Sequence, residues 1–184
     1  MGKLIVFNMV TVDGFFEGPN KEIDWHNVDA EFIEFAIEQL ESAGALLFGR
    51  ITYELMANFW PTKEAIKNDP IVADKMNTLP KFVFSKTLQK VDWNNARLIK
   101  INIPEEIAKL RQETEKDLLI LGSGRLTVAL TKLGLIDEYR LMVDPVILGK
   151  GKSLFEGLDK RINLALIKTK TYNSGNVLLC YSFT

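Results

Sequence analysis

Leu118-Leu119-Ile120-Leu121-Gly122-Ser123-Gly124-Arg125-Leu126 is the segment on which the fold turns. Four apolar residues in a row read as a short strand buried on both faces, the kind found inside a parallel sheet. Two glycines one residue apart then let the backbone turn sharply. Leu126 to Leu133 reads as a helix, and Gly134 ends it where a C′ glycine would.

The same alternation runs upstream. Lys3 to Val12 is a nearly continuous apolar strand, broken by Asp13-Gly14 and a loop at Gly18-Pro19-Asn20. From Asp29 to Ala43 the period is helical: Phe32, Phe35, Ala36, Gln39 and Leu40 share one face, Asp29 is the N-cap, and Gly44 is the expected stop. Ala45 to Phe48 reads as a strand that Gly49-Arg50 turns into a helix near Thr52. Asp69-Pro70 starts a helix through Met76. Lys81 to Phe84 and Arg97 to Ile101 read as strands, and Pro104 opens a helix with Ile107 and Leu110 inward.

After Gly134 the alternation stops. Glu138 to Val143, Asn163 to Thr171 and Asn176 to Phe183 read as strands, with a hairpin around Asn173-Ser174-Gly175-Asn176. These patterns predict an α/β protein: a three-layer α/β/α sandwich with a mixed, mostly parallel sheet and antiparallel C-terminal strands. No linker or composition shift divides the chain, so residues 1–184 form one expected domain.

Composition removes several function classes. Of 184 residues 47% are hydrophobic and 26% charged, which is ordinary globular usage. Lys+Arg total 23 against Asp+Glu 24, so a nucleic-acid backbone or an anionic membrane surface finds no attracting field. Cys180 and His26 are the only residues of their kinds, which leaves no intrachain disulfide and no Cys/His metal cluster. The first apolar run meets charge at Asp13, too soon for a membrane span. The expectation is a soluble cytoplasmic protein without a metal centre.

Chemistry is expected where parallel strands end and helices begin, because helix N-termini present free N–H groups to anions. Gly49-Arg50-Ile51-Thr52 offers a turn, a guanidinium and a hydroxyl, either for a phosphate or as a plain helix start with a solvated arginine. Ser85-Lys86-Thr87 follows another strand and suits a phosphate monoester, although an ordinary loop has the same look. Gly122-Ser123-Gly124-Arg125-Leu126 can bring backbone amides to a pyrophosphate. Its match to G-x-G-x-x-G fails at Thr127. Together the three strand ends fit one extended ligand with several phosphates, and a reduced dinucleotide is such a ligand.

The ordered set Thr11-Val12-Asp13-Gly14, Gly49 to Glu54, Ser85-Lys86-Thr87-Leu88 and Gly122-Ser123-Gly124 resembles the dihydrofolate reductase fold. Gly134 to Leu141, Pro145-Val146-Ile147-Leu148-Gly149-Lys150-Gly151 and Leu154-Phe155 are similar to the reductase domain of riboflavin biosynthesis. The resemblance covers essentially the whole chain and implies an NADPH-dependent reductase. It places Gly49, Arg50 and Thr52 on the cofactor phosphates and Ser85 and Lys86 near the adenosine 2′-phosphate. Gly122, Ser123, Gly124, Arg125 and Leu126 would cover the pyrophosphate and nicotinamide ribose. It further implies a homodimer, with Val177 to Cys180 pairing across it.

The substrate side departs from the relatives. Asp24-Trp25 stands where dihydrofolate reductases carry Pro-Trp, and the acids that follow, Asp29 and Glu31, have shifted offsets. Asp13 and Glu31 are therefore the candidate catalytic acids; Asp13 reads equally as a turn residue, and Glu31 as a solvated one. Trp25 is a candidate stacking platform or core lid. Asp144, Pro145 and Lys150 correspond, by the resemblance, to residues near the substrate's ribose phosphate. The implied substrate is a small planar nitrogen heterocycle such as a pyrimidine or a pterin.

Overall fold

The computed structural model describes residues 2–184. Ten strands and six helices follow one another in the order β1 (Leu4–Thr11), β2 (Phe15–Glu17), α1 (Ala30–Ser42), β3 (Ala43–Gly49), α2 (Arg50–Phe59), α3 (Lys63–Asn68), α4 (Pro70–Thr78), β4 (Lys81–Phe84), β5 (Ala96–Ile99), α5 (Ile103–Glu113), β6 (Asp117–Leu121), α6 (Gly124–Lys132), β7 (Glu138–Asp144), β8 (Lys152–Ser153), β9 (Leu164–Thr171) and β10 (Val177–Phe183). Eight of the strands form one sheet in the order β5-β4-β3-β6-β1-β7-β10-β9. Strands β5 to β7 of that row are mutually parallel, and β10 runs antiparallel to both its neighbours. The carboxyl ends of six parallel strands thus share one edge.

Every residue of β1 is buried, as a strand covered on both faces requires. Alternate side chains go to opposite layers. Ile5, Phe7, Met9, Phe48 and Met142 pack with Phe35, Leu40, Tyr53 and Val72 of α1, α2 and α4. Leu4, Val6, Leu47, Leu118 and Ile120 pack with Ile107, Leu110, Leu126 and Leu130 of α5 and α6. Each such side chain stabilises the fold by roughly 1.5–3 kcal/mol relative to exposure. The predicted three-layer arrangement is the one observed. Among the described residues no helix is long and apolar enough to cross a membrane.

Helix α1 begins as expected, with Asp29 accepting the Phe32 amide at 2.8 Å. Its end differs: Gly44 lies inside β3 and caps nothing. A Cβ on Gly44 would stand 2.5 Å from Thr114 Oγ1, so the glycine answers a close approach between β3 and the segment before β6. The structure also adds elements absent from the periodicity, namely helix α3 and a small ribbon of β2 against β8. Val177 to Cys180, expected to pair across a homodimer, lie inside the sheet between β7 and β9, so β9 forms that edge.

Segment 88–95 closes the α2 side of the sheet, and one hydroxyl holds two of its amides. Tyr53 Oη accepts the backbone amides of Asp92 at 3.0 Å and Trp93 at 3.1 Å. The Trp93 indole stacks on Phe48 and donates to Asn77 Oδ1 at 2.8 Å. Tyr53→Phe leaves two amides without an acceptor at little change in volume. The variant is expected to lose about 1–3 kcal/mol in urea unfolding, with the Trp93 fluorescence transition moving to lower denaturant.

Candidate functional site

A cleft of about 830 Å³ opens at the carboxyl edge of β3, β4, β5 and β6. Helix α2 starts at its wall without a side-chain cap, and so does α6. The first N–H groups of both helices therefore have no partner within their helices. Gly122 (φ +58°) and Ser123 (φ +57°) are consecutive left-handed residues, and this double turn swings α6 away from the end of β6.

One clasp fixes the two helix starts against each other. Ser123 Oγ accepts the Gly49 amide at 3.0 Å, and the Ser123 amide donates to Thr52 Oγ1 at 3.0 Å. Arg50 extends the tie by donating to Thr87 Oγ1 at 3.1 Å, while Ser85 Oγ accepts the amides of Thr87 and Leu88. Gly49, Arg50, Thr52, Ser85, Lys86, Ser123, Arg125 and Leu126 all line the cleft. Gly122 and Gly124 shape the turn behind it. A Cβ on Gly124 would fall 2.8 Å from Phe16 Cζ, so glycine there lets β2 lie close over the start of α6.

Sequence reading missed part of the wall. Lys100 and Asn102, after β5, line the cleft, as do Phe16, Glu17 and Lys152 of the β2–β8 ribbon. The carboxyl end of β5 carries a cation, Lys100, ahead of a helix start, much as the recognised strand ends carry Arg50, Lys86 and Arg125. The ribbon carries no such signal, since it joins residues far apart in sequence. Lys152 lies 3.5 Å from Glu17 and over the Phe16 ring. The cleft gathers five cationic side chains (Arg50, Lys86, Lys100, Arg125, Lys152) against two carboxylates (Glu17, Glu105).

The remaining candidates lie outside that lining. Both oxygens of Asp13 are engaged: Oδ1 accepts from Thr11 Oγ1 at 2.6 Å and from the Leu148 amide, and Oδ2 from the Gly149 amide at 2.7 Å. The Thr11 hydroxyl and those amides hold its carboxyl below the usual range. Glu31 Oε2 accepts the Asn173 amide at 2.7 Å, which ties α1 to the β9–β10 turn. Lys150 and Pro145 are exposed. Trp25 packs against the α1-side core with its ring edge-on to His26 at 4.5 Å.

Asp144 ends β7 and is fully buried. Its Oδ1 accepts the Asn27 amide at 2.8 Å, and its Oδ2 has no partner. Burial pushes this carboxyl from 3.8 to about 6. Burial also lowers the His26 imidazole from 6.5 to about 4. The two act in opposite senses. The folded state holds more protons on Asp144 than the unfolded chain between pH 4 and 6, so that contribution is present below pH 4 and lost as pH rises through 6. His26 holds fewer in the folded state, so its burial destabilises acid solutions and ceases to do so above its unfolded value. Asp144→Asn removes the first effect and leaves the second. The variant is expected to be more stable than the parent at pH 8, by up to roughly 2–3 kcal/mol, with the difference vanishing near pH 4 in urea titrations.

Comparisons with known proteins agree with this architecture. The Bacillus subtilis (strain 168) protein YyaP is 36% identical over 181 residues, spanning 97% of this chain and 94% of its own. The crystal structure of a candidate riboflavin biosynthesis protein from Shewanella sp. PV-4 superposes with a TM-score of 0.78 at 25% identity, over 99% of each chain. Dihydrofolate reductase from Enterococcus faecalis, complexed with NADP(H), superposes with a TM-score of 0.67 over 100% of this chain and 97% of that one. At 13% identity the last likeness is one of fold, and the fold is the dihydrofolate reductase-like one. The RibD C-terminal domain model matches residues 2–178, and on that match the chain belongs to the RibD C-terminal domain family.

Proposed function

We propose that the protein is an NADPH-dependent reductase transferring a hydride to a planar nitrogen heterocycle, most like the 5-amino-6-(5-phosphoribosylamino)uracil reductase step of riboflavin biosynthesis. The observation that carries this reading is the cleft itself: two open helix N-termini and a surplus of cations along adjacent strand ends. Anions gain from both features, and a guanidinium fork adds directional contact. Membership of the RibD C-terminal domain family and the likeness to a reductase complexed with NADP(H) support the same ligand.

The residues present fit a phosphorylated dinucleotide. Arg50 and Thr52 would hold its phosphates at the start of α2, with Ser85 and Lys86 toward a 2′-phosphate. Gly124, Arg125 and Leu126 would offer backbone amides to the pyrophosphate, those of Gly122 and Ser123 being taken by the Phe7 carbonyl and the Thr52 hydroxyl. From the end of β4 to the end of β7 is four strand spacings, roughly 19 Å, a span suited to an extended dinucleotide with a substrate beyond it. Bound reduced nicotinamide supplies the hydride; the chain's own residues bind, orient and exclude water. A second reading, an NADP(H)-binding homodimer without turnover, draws on the engagement of Asp13 and Glu31 in backbone hydrogen bonds. Turnover of dihydrofolate is the further alternative within the reductase class.

Melting scans with NADPH and with NADH test the reading. At 100 times its dissociation constant NADPH is expected to add about 2.7 kcal/mol of stability. Arg50→Ala and Lys86→Ala should each weaken NADPH binding roughly 10- to 100-fold; Lys86→Ala should affect NADH far less, whereas Arg50→Ala should weaken both cofactors. Equal shifts with both cofactors would remove the 2′-phosphate assignment. No shift with either would remove the reductase reading. NADPH binding without loss of absorbance at 340 nm, across pyrimidine and pterin acceptors, would favour the inactive homodimer.

A further inference from the structure

Buried polar atoms ordinarily have hydrogen-bond partners, so a group of them without any calls for a ligand or for water. Among the described residues, several such atoms belong to the end of β7 or to the segments hydrogen-bonded to it. They include Asp144 Oδ2, Asn176 Oδ1, Tyr172 Oη, Trp25 Nε1 and His26 Nε2. Asp144 is 0% exposed, Asn176 1% and Tyr172 6%. The strand register explains why the first two meet. Val143 pairs with Val177, so Asp144 and Asn176 follow each other across the β7–β10 ladder, and Thr11 of β1 flanks Asp144 on the other side.

The backbone of Asn27 occupies one side of this pair. Its N–H donates to Asp144 Oδ1 at 2.8 Å, and its carbonyl accepts from Asn176 Nδ2 at 3.1 Å. Its side chain donates to the Ser174 carbonyl at 3.2 Å. The hydrogen bonds joining segment 18–28 to the rest of the described chain run through Asn27, and Trp25 packs against the α1-side core, so this segment is the cover that a ligand at the pair would displace. With those contacts made, each partner keeps one oxygen free, and both free oxygens are acceptors. Asp13, Glu31 and Asp144 differ in one respect. Asp13 and Glu31 already accept backbone amides on the rim, whereas Asp144 is buried and has an unused oxygen.

Building on the reductase reading, we infer that Asp144 and Asn176 form the substrate-recognition edge, taking a heterocycle that presents two adjacent N–H donors, an amino group beside a ring N–H. An anionic phosphate is excluded from this position, because a carboxylate and an amide oxygen would both face it. The substrate's phosphate, where there is one, points away from β7. Asp144 acts here as a specificity-determining residue: it selects amino-substituted rings over rings carrying only acceptors.

Calorimetric titration of the full-length protein with isocytosine, which carries that donor pair, and with 1,3-dimethyluracil, which lacks it, tests the assignment. Titrations are run with and without NADPH. Isocytosine is expected to bind and dimethyluracil to give no heat, with Asp144→Asn weakening isocytosine at least tenfold. The near-isosteric variant keeps the acceptor that Asn27 uses, and its urea transition reports folding directly. Asn176→Leu, if folded, should weaken isocytosine as well. Equal isocytosine binding by parent and Asp144→Asn overturns the inference, as does absence of isocytosine binding in a protein that NADPH stabilises. Isocytosine binding that depends on Asp144 in a protein indifferent to NADPH would sustain the donor-recognition edge and overturn the reductase reading alone.

Discussion

Ser123 holds a left-handed conformation directly after Gly122, and from that position its two polar groups reach across to the neighbouring strand. The hydroxyl takes the Gly49 amide and the backbone amide gives to Thr52. This exchange locks the turn after β6 to the turn after β3, the two strands being adjacent in the sheet. Without it the α2 and α6 N-termini would be independent loop ends. With it they diverge from one fixed point, and the cleft between them has a floor. A non-glycine residue at φ +57° costs conformational energy, and the reciprocal hydrogen bonds offset that cost.

The consequence reaches outward along the edge. Because Ser123 takes the Gly49 amide and gives its own to Thr52, the remaining helix-start amides and the charges of Arg50, Lys86, Lys100 and Arg125 are left to solvent or ligand. The β2–β8 ribbon closes over this arrangement through Phe16, which only glycine at position 124 permits. Asp13 ties the ribbon's two flanks together by accepting amides from residues 148 and 149. That role needs a carboxylate at a turn and makes the residue structural at this rim. The cover over the cleft is thus hydrogen-bonded to the end of β1 and packs on the wall beneath it through Phe16.

Much of this was legible in the residues, and the failures have identifiable causes. Continuous apolar runs announced β1, β3 and β6, because strands covered on both faces need no polar alternation. Asp29 marked the start of α1. Gly44 misled, since a glycine required by close packing looks the same as one that ends a helix. The ribbon was invisible, because strands of three and two residues carry no period and depend wholly on a distant partner. In the site, residue type and strand-end position found Arg50, Lys86 and the glycine turn. The same rule applied to β5 would have found Lys100. Sequence does not record whether a carboxylate's lone pairs are already used, and on that point the acids divide: Asp13 and Glu31 are occupied, and Asp144 is not.

That division gives the edge two ends of opposite polarity. Strands β4, β3 and β6 terminate in cations and free N–H groups; β7 ends and β10 begins at unpaired acceptors, with the end of β1 between the two groups. A ligand running along the edge would therefore be anionic at one end and donor-bearing at the other. Reversal of such a ligand is doubly opposed, since phosphates would meet Asp144 and N–H donors would meet lysines. On the reductase reading, this polarity orients the cofactor and the ring toward each other over β1. At the end of β1 between them Thr11 is buried and both Asp13 oxygens are already taken by a hydroxyl and two backbone amides, so the two ends of the edge, and not its middle, fix how such a ligand lies.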